Sequence, residues 1–119
     1  MGFLASELKR FGNTVLWSWQ GWTAAWASEK SLRQWTIVNL LSAALAFTLP
    51  LSPGERALIL ALGLLVLMAE LVNTAIEEVV DTIFPGLDPR AKKAKDCGSA
   101  AVALAALAGG IAWAVVLVS

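Results

Sequence analysis

The chain opens on a stretch where apolar and polar residues alternate with the period of a helix, and continues into three long, almost wholly apolar blocks. In the opening stretch Leu4, Leu8, Phe11, Val15, Trp19, Trp22 and Trp26 recur at steps of three and four. That spacing places them on one helical face, with Glu7, Lys9, Arg10, Asn13 and Gln20 elsewhere and Trp17 off the stripe. A basic, Trp-rich amphipathic helix suits the headgroup layer of a bilayer, because indole rings favour the membrane–water boundary. The pattern predicts an interfacial helix over residues 3–28, in preference to a core-facing helix of a soluble domain.

The three blocks predict transmembrane helices over residues 32–51, 57–83 and 97–118, since about 20 residues cross the hydrocarbon core. Ser52-Pro53-Gly54-Glu55-Arg56 separates the first two blocks with a turn of helix-starting character. Pro85-Gly86 and Asp88-Pro89 close the second. The expected fold is all-α: one membrane-embedded domain over residues 1–119, without internal repeats or linkers.

Composition agrees with lipid as solvent. Hydrophobic residues make up 58% and charged ones 15% of the chain, where soluble domains run near about 45–50% and about 25%. Mean hydropathy is +0.70. Net charge is zero, which argues against a nucleic-acid partner. Cys97 is the single cysteine and there is no histidine, so acid–base or metal chemistry must rest on carboxylates. No short apolar stretch with a small-residue cleavage site precedes the first block, so no signal peptide is expected.

Charge placement sets the expected orientation. Lys9, Arg10, Lys30 and Arg33 precede the first block, and Arg90, Lys92, Lys93 and Lys95 lie between the second and third. Only Arg56 lies in the other link. By the positive-inside rule the N-terminus and the second link face the cytoplasm, and the C-terminus faces outward.

The second block carries the candidate chemistry. Glu70, Asn73, Glu77 and Asp81 fall within about 80° of one another on one helical face, and Glu78 lies about 100° from Glu77. A charged group in the bilayer centre costs roughly 2.5–3.5 kcal/mol on insertion scales, so such a stripe suggests function. With entry at Ala57, Glu77 lies about 30 Å along the helix, at the cytoplasmic boundary, and Glu70 about 10 Å deeper. Glu77 can then meet water-borne ions, whereas Glu70 meets only what lives in the bilayer. Glu29, at the level of Glu77, could share a hard divalent cation with it, because Mg²⁺ prefers oxygen ligands. Lys95, next to Asp96, and Arg10 could pair with phosphate oxygens. Together these are parts for phosphoryl transfer, although no P-loop is present. The bland alternatives are Glu70 and Asn73 as interhelical glue and the rest as interfacial charges.

The string from Glu70 through Asn73 and Glu77 to Asp81, followed by Ala94-Lys95-Asp96-Cys97-Gly98-Ser99, closely resembles the prokaryotic diacylglycerol kinase family. The run from Ser18-Trp19 to Trp26 and Glu29, with Leu32-Arg33-Gln34 after it, resembles the same family, and the likeness covers nearly the whole chain. The resemblance implies a homotrimer that transfers the ATP γ-phosphate, with Mg²⁺, to a lipid hydroxyl at the bacterial inner membrane. It implies Glu70 as general base, Asn73 in support, and Glu29 and Glu77 holding metal and nucleotide. It also implies nucleotide contacts at Arg10, Lys95 and Asp96. A lipid path along Arg10, Ser18, Trp26, Arg33, Gln34, Glu70, Ser99 and Trp113 is implied as well. Trp17 stands where the best-known members have Tyr, and Trp35 where they carry an acid. A sister branch phosphorylates undecaprenol. The Trp-rich run and Lys95-Asp96-Cys97-Gly98-Ser99 fit the diacylglycerol branch, while the Asp88-Pro89 loop leans the other way. Outside this family the rival readings are a small transporter, against which the uncharged residues 57–69 speak, and a structural membrane protein.

Overall fold

The computed structural model describes residues 2–119, and nearly all of them are helical. Helix α1 spans Phe3–Ser28, α2 Lys30–Thr48, α3 Pro53–Ile83 and α4 Pro89–Val118. Each boundary has a local cause. Between α1 and α2 the chain breaks at Glu29 alone, which is extended at φ −110 and ψ 104. Two of the carbonyls that this break leaves over, those of Trp26 and Ala27, accept from the Arg33 guanidinium.

At the far end of α2, Arg56 does the same work. Its Nε donates to the Ala46 carbonyl at 2.7 Å, its Nη2 to that of Leu51 at 3.3 Å, and its guanidinium lies over the Phe47 ring. Helix α3 opens on a capping box: the Glu55 N–H donates to Ser52 Oγ at 3.2 Å, and the Ser52 N–H donates to Glu55 Oε1 at 2.8 Å. Helix α4 begins earlier than the apolar pattern suggests. Asp88 caps it by accepting the Arg90 N–H at 2.7 Å, and Pro89 takes the first helical position. The basic cluster Arg90–Lys95 therefore sits on helical turns, not in a loop.

Short links make α2, α3 and α4 an up-and-down bundle. Helix α3 packs most extensively on α4 and next on α2, while α1 touches α2 and α3 lightly. Helices α3 and α4 are long and apolar enough to cross a membrane. Helix α2, at 19 residues, is about 28 Å long. The molecule measures 50 × 47 × 22 Å. A helix of 31 residues accounts for about 46 Å of one dimension. Three packed helices are too narrow for the second, so α1 reaches away from the bundle. Its Phe3, Leu4, Leu8, Phe11, Val15 and Trp19 are exposed, without protein to bury them.

The two ends of the bundle differ. One end holds the apolar cluster of Ala46, Ile59 and Ala112, with Trp113 and Val116 packed on it. The other gathers the start of α2, the end of α3 and the start of α4, and with them the carboxylates.

Candidate active site

Glu70 is 6% exposed and is the one buried charged side chain among the described residues. It sits on the face of α3 turned into the bundle, one turn beyond buried Val66. The carboxylates of Glu77 and Glu29 lie within electrostatic reach of it, and the Trp35 indole lies nearby. Two acids of α3 and one at the α1–α2 break therefore share one end of the bundle. The Thr74 hydroxyl is taken by the Glu70 carbonyl at 2.9 Å, so it leaves the Glu70 side chain free.

Asn73 links the stripe to α4. Its Nδ2 donates to Glu77 Oε1 at 3.3 Å. Its Oδ1 is buried and has no hydrogen-bond partner among the described residues. That oxygen lies where a side chain on Gly98 would begin, 2.2 Å from an added Cβ. Only glycine permits this approach of α4 to α3. A second contact of the same kind lies on the other side of α3, where Asn39 Oδ1 would be 2.1 Å from a Cβ on Gly63. The Asn39 Nδ2 is held by the Trp35 carbonyl at 2.9 Å.

Around the rim the charges are paired. Lys95 Nζ meets Asp81 at 2.6 Å and is within electrostatic reach of Glu77. Asp96 pairs with Lys92 at 2.6 Å. Both pairs are substantially exposed, so each contributes little to stability and can exchange partners readily. Glu29 is half-buried, and Ser28 Oγ donates to its Oε1 at 3.4 Å.

The remaining positions fall outside this cluster. Arg10 is exposed on α1 and lies 3.8 Å from Glu7. Arg33 is engaged with the α1 carbonyls, while Gln34 and Ser99 are exposed. Trp113 lies at the apolar end, where its Nε1 donates to Ser42 Oγ at 2.9 Å. Ser18 lines a cavity of about 680 Å³ between α1 and α3, with Trp22, Ser28, Leu71, Thr74 and Glu78. Trp26 borders a smaller one with Trp19, Trp22 and Thr36.

Sequence reasoning missed the approach of Trp35 to Glu70, the seats of Asn73 and Asn39 on glycines, and the place of Glu78 on the α1–α3 cavity. A small-residue α4 signals close packing in general. Which residue faces which glycine depends on the offset between helices, and apolar periodicity does not encode that.

The family described as Prokaryotic diacylglycerol kinase matches residues 16–117. The diacylglycerol kinase of Pseudomonas aeruginosa is 42% identical over 110 residues, covering 92% of this chain and 89% of that protein. The diacylglycerol kinase of Escherichia coli K12 is 38% identical over 101 residues, covering 85% and 83%. That of Helicobacter pylori J99 is 36% identical, covering 92% and 83%.

Proposed function

The chain belongs to the prokaryotic diacylglycerol kinase family, and from that premise we propose that Glu70 is the base with which this membrane lipid kinase phosphorylates diacylglycerol from ATP. The observation that carries the assignment is the burial of Glu70 beside two further carboxylates. A buried acid in a lipid-facing protein is costly to keep without a task.

In the proposed reaction the lipid hydroxyl lies against Glu70. The hydroxyl oxygen forms a bond to the γ-phosphorus as the bond from that phosphorus to the β–γ bridging oxygen breaks. Glu70 takes the hydroxyl proton, and phosphatidic acid and ADP leave. Glu29 and Glu77 are the residues that would hold Mg²⁺. Among the described residues no group of three or more acids forms a ready-made metal site, but Mg²⁺ commonly uses only one or two carboxylates and completes its shell with water and substrate phosphates. Bound there, Mg²⁺ would neutralise charge on the phosphates. Asn73 orients Glu77. Lys95 and Asp96 would meet nucleotide by exchanging their present partners, and Arg10 would approach it from α1. Ser18, Trp26, Arg33, Gln34, Ser99 and Trp113 would border the lipid.

The same reading makes α2, α3 and α4 the three crossings, the first ending at Thr48 and not at residue 51, with residues 3–28 on the surface. It sets them in the bacterial inner membrane with the N-terminus cytoplasmic, and eight basic residues against Arg56 support that direction. Assembly as a homotrimer would supply the cover that one chain lacks, since many large apolar side chains of α3 and α4 are exposed.

The test is Glu70→Gln in detergent micelles, with labelled ATP and diacylglycerol. The amide keeps the shape and loses the base, so turnover should fall about 100- to 10,000-fold. Near-normal turnover would remove Glu70 from this role. Undecaprenol offered in parallel should accept little phosphate; preferential labelling of it would move the chain to the other substrate.

A further inference from the structure

Trp35 has no part in the reaction as described, yet its indole lies close to the carboxylate on which the reaction turns. We infer that Trp35 is a positioning residue for Glu70: its indole N–H holds one carboxylate oxygen and turns the other toward the lipid hydroxyl. The inference rests on the reading of Glu70 as base and adds how that base is aimed.

The packing of α2 on α3 argues for it. The two helices are antiparallel, and Asn39 on Gly63 fixes their offset. One turn closer to the carboxylate end, position 35 comes opposite Val66, which borders the same narrow cavity of about 210 Å³ as Trp35, Asn39 and Gly63. Side chains on a helix lean toward its N-terminus, and the N-terminus of α2 lies at the carboxylate end. A long side chain at 35 is thereby directed past Val66 to Glu70, one further turn along α3. Trp35 is itself half-buried and its carbonyl is tied to Asn39, so the ring has a defined base.

The chemistry of indole suits the task. Its N–H only donates and cannot take the proton that Glu70 must receive. An oxygen that accepts this bond is occupied, which leaves its partner oxygen as the site for the incoming proton. Two rotatable bonds in a packed ring also hold the carboxylate more firmly than a flexible donor would.

The experiment pairs a substitution with a spectrum. Trp35→Phe keeps an aromatic ring and removes the donor. Turnover of diacylglycerol should fall about 10- to 100-fold, the range for small misplacements of a reacting group, while KM for Mg·ATP stays unchanged. In the ¹⁵N-labelled protein the Trp35 indole N–H resonance, identified by its loss in Trp35→Phe or Trp35→Leu, should move when Glu70 is changed to Gln. Full turnover in folded Trp35→Phe would overturn the inference, and so would a resonance indifferent to Glu70→Gln, even if the Phe variant failed to fold. Normal turnover in Glu70→Gln would instead strike the base assignment, which separates the two failures.

Discussion

Replacing Gly98 with alanine tests the contact that joins α4 to the carboxylate stripe. The added Cβ would lie 2.2 Å from Asn73 Oδ1 and 3.3 Å from its Cγ, with Ile76 Cδ1 at an ordinary 3.7 Å. Carbon needs about 3.5 Å from such an atom, so the oxygen must retreat by about 1.3 Å. The obstacle is the tip of a side chain and not backbone, so Asn73 rotates and the fold survives. The rotation has a definite consequence, because the same amide donates to Glu77 at 3.3 Å. Overpacking of this kind costs about 1–3 kcal/mol. The hydrogen bond lost to Glu77 accounts for about 0.5–1.5 kcal/mol of it.

Two measurements follow from this. Unfolding in mixed micelles should show destabilisation in that range. KM for Mg·ATP should rise roughly 2- to 13-fold if the lost bond is what orients Glu77. Gly63→Ala is the internal control: it sets up the same clash with Asn39, at 2.1 Å, on the other side of α3. It should destabilise similarly and leave KM for Mg·ATP alone. Removing the obstacle in Gly98→Ala/Asn73→Ala should recover most of the stability penalty of Gly98→Ala. Strict additivity of the two single changes would refute the clash as the cause, because residues in contact should couple.

Two further outcomes check other parts of the fold. Trp113→Phe removes the donor to Ser42 and should cost about 0.6 kcal/mol, the average for polar contacts between membrane helices. Turnover should change little, because the phenyl ring keeps an apolar border to the lipid path; unchanged stability would refute the hydrogen bond's contribution. The Arg90 side chain hydrogen-bonds Asp88 and holds its carboxyl below the ordinary 3.8. Its contribution to the start of α4 is therefore present above that value and fades as pH falls through the lower folded one. The Arg90 amide resonance, whose N–H donates to Asp88, should titrate with a midpoint under 3.8. A midpoint at or above it would contradict the cap.

How much of this was written in the residues depends on which physical signal each feature leaves. Four helices were legible because a surface helix leaves an apolar period and a helix in lipid an apolar run of about 20 residues, and Pro and Gly mark two of the three breaks. The start of α4 was misjudged because an apolar scan is blind to Lys and Arg on helical turns, whereas Asp88 and Pro89 carried the signal in capping chemistry. The acid stripe was legible as well, since Glu70, Asn73 and Glu77 are related by helical spacing within one element. The facing partners were not. Trp35 with Glu70, Asn39 with Gly63 and Asn73 with Gly98 each depend on how far one helix slides along another. A slide of one turn, about 5.4 Å, leaves the apolar pattern of both helices intact. It would nonetheless carry Asn39 off Gly63 and the Trp35 ring away from the carboxylate. In a bundle whose outer surface lies in lipid, the hydrophobic effect cannot choose between such offsets, because acyl chains solvate leucine as well as a neighbouring helix does. Steric seats at glycines can make that choice. The two asparagines therefore act as stops that fix the offset on either side of α3, and the aim of Glu70 depends on them.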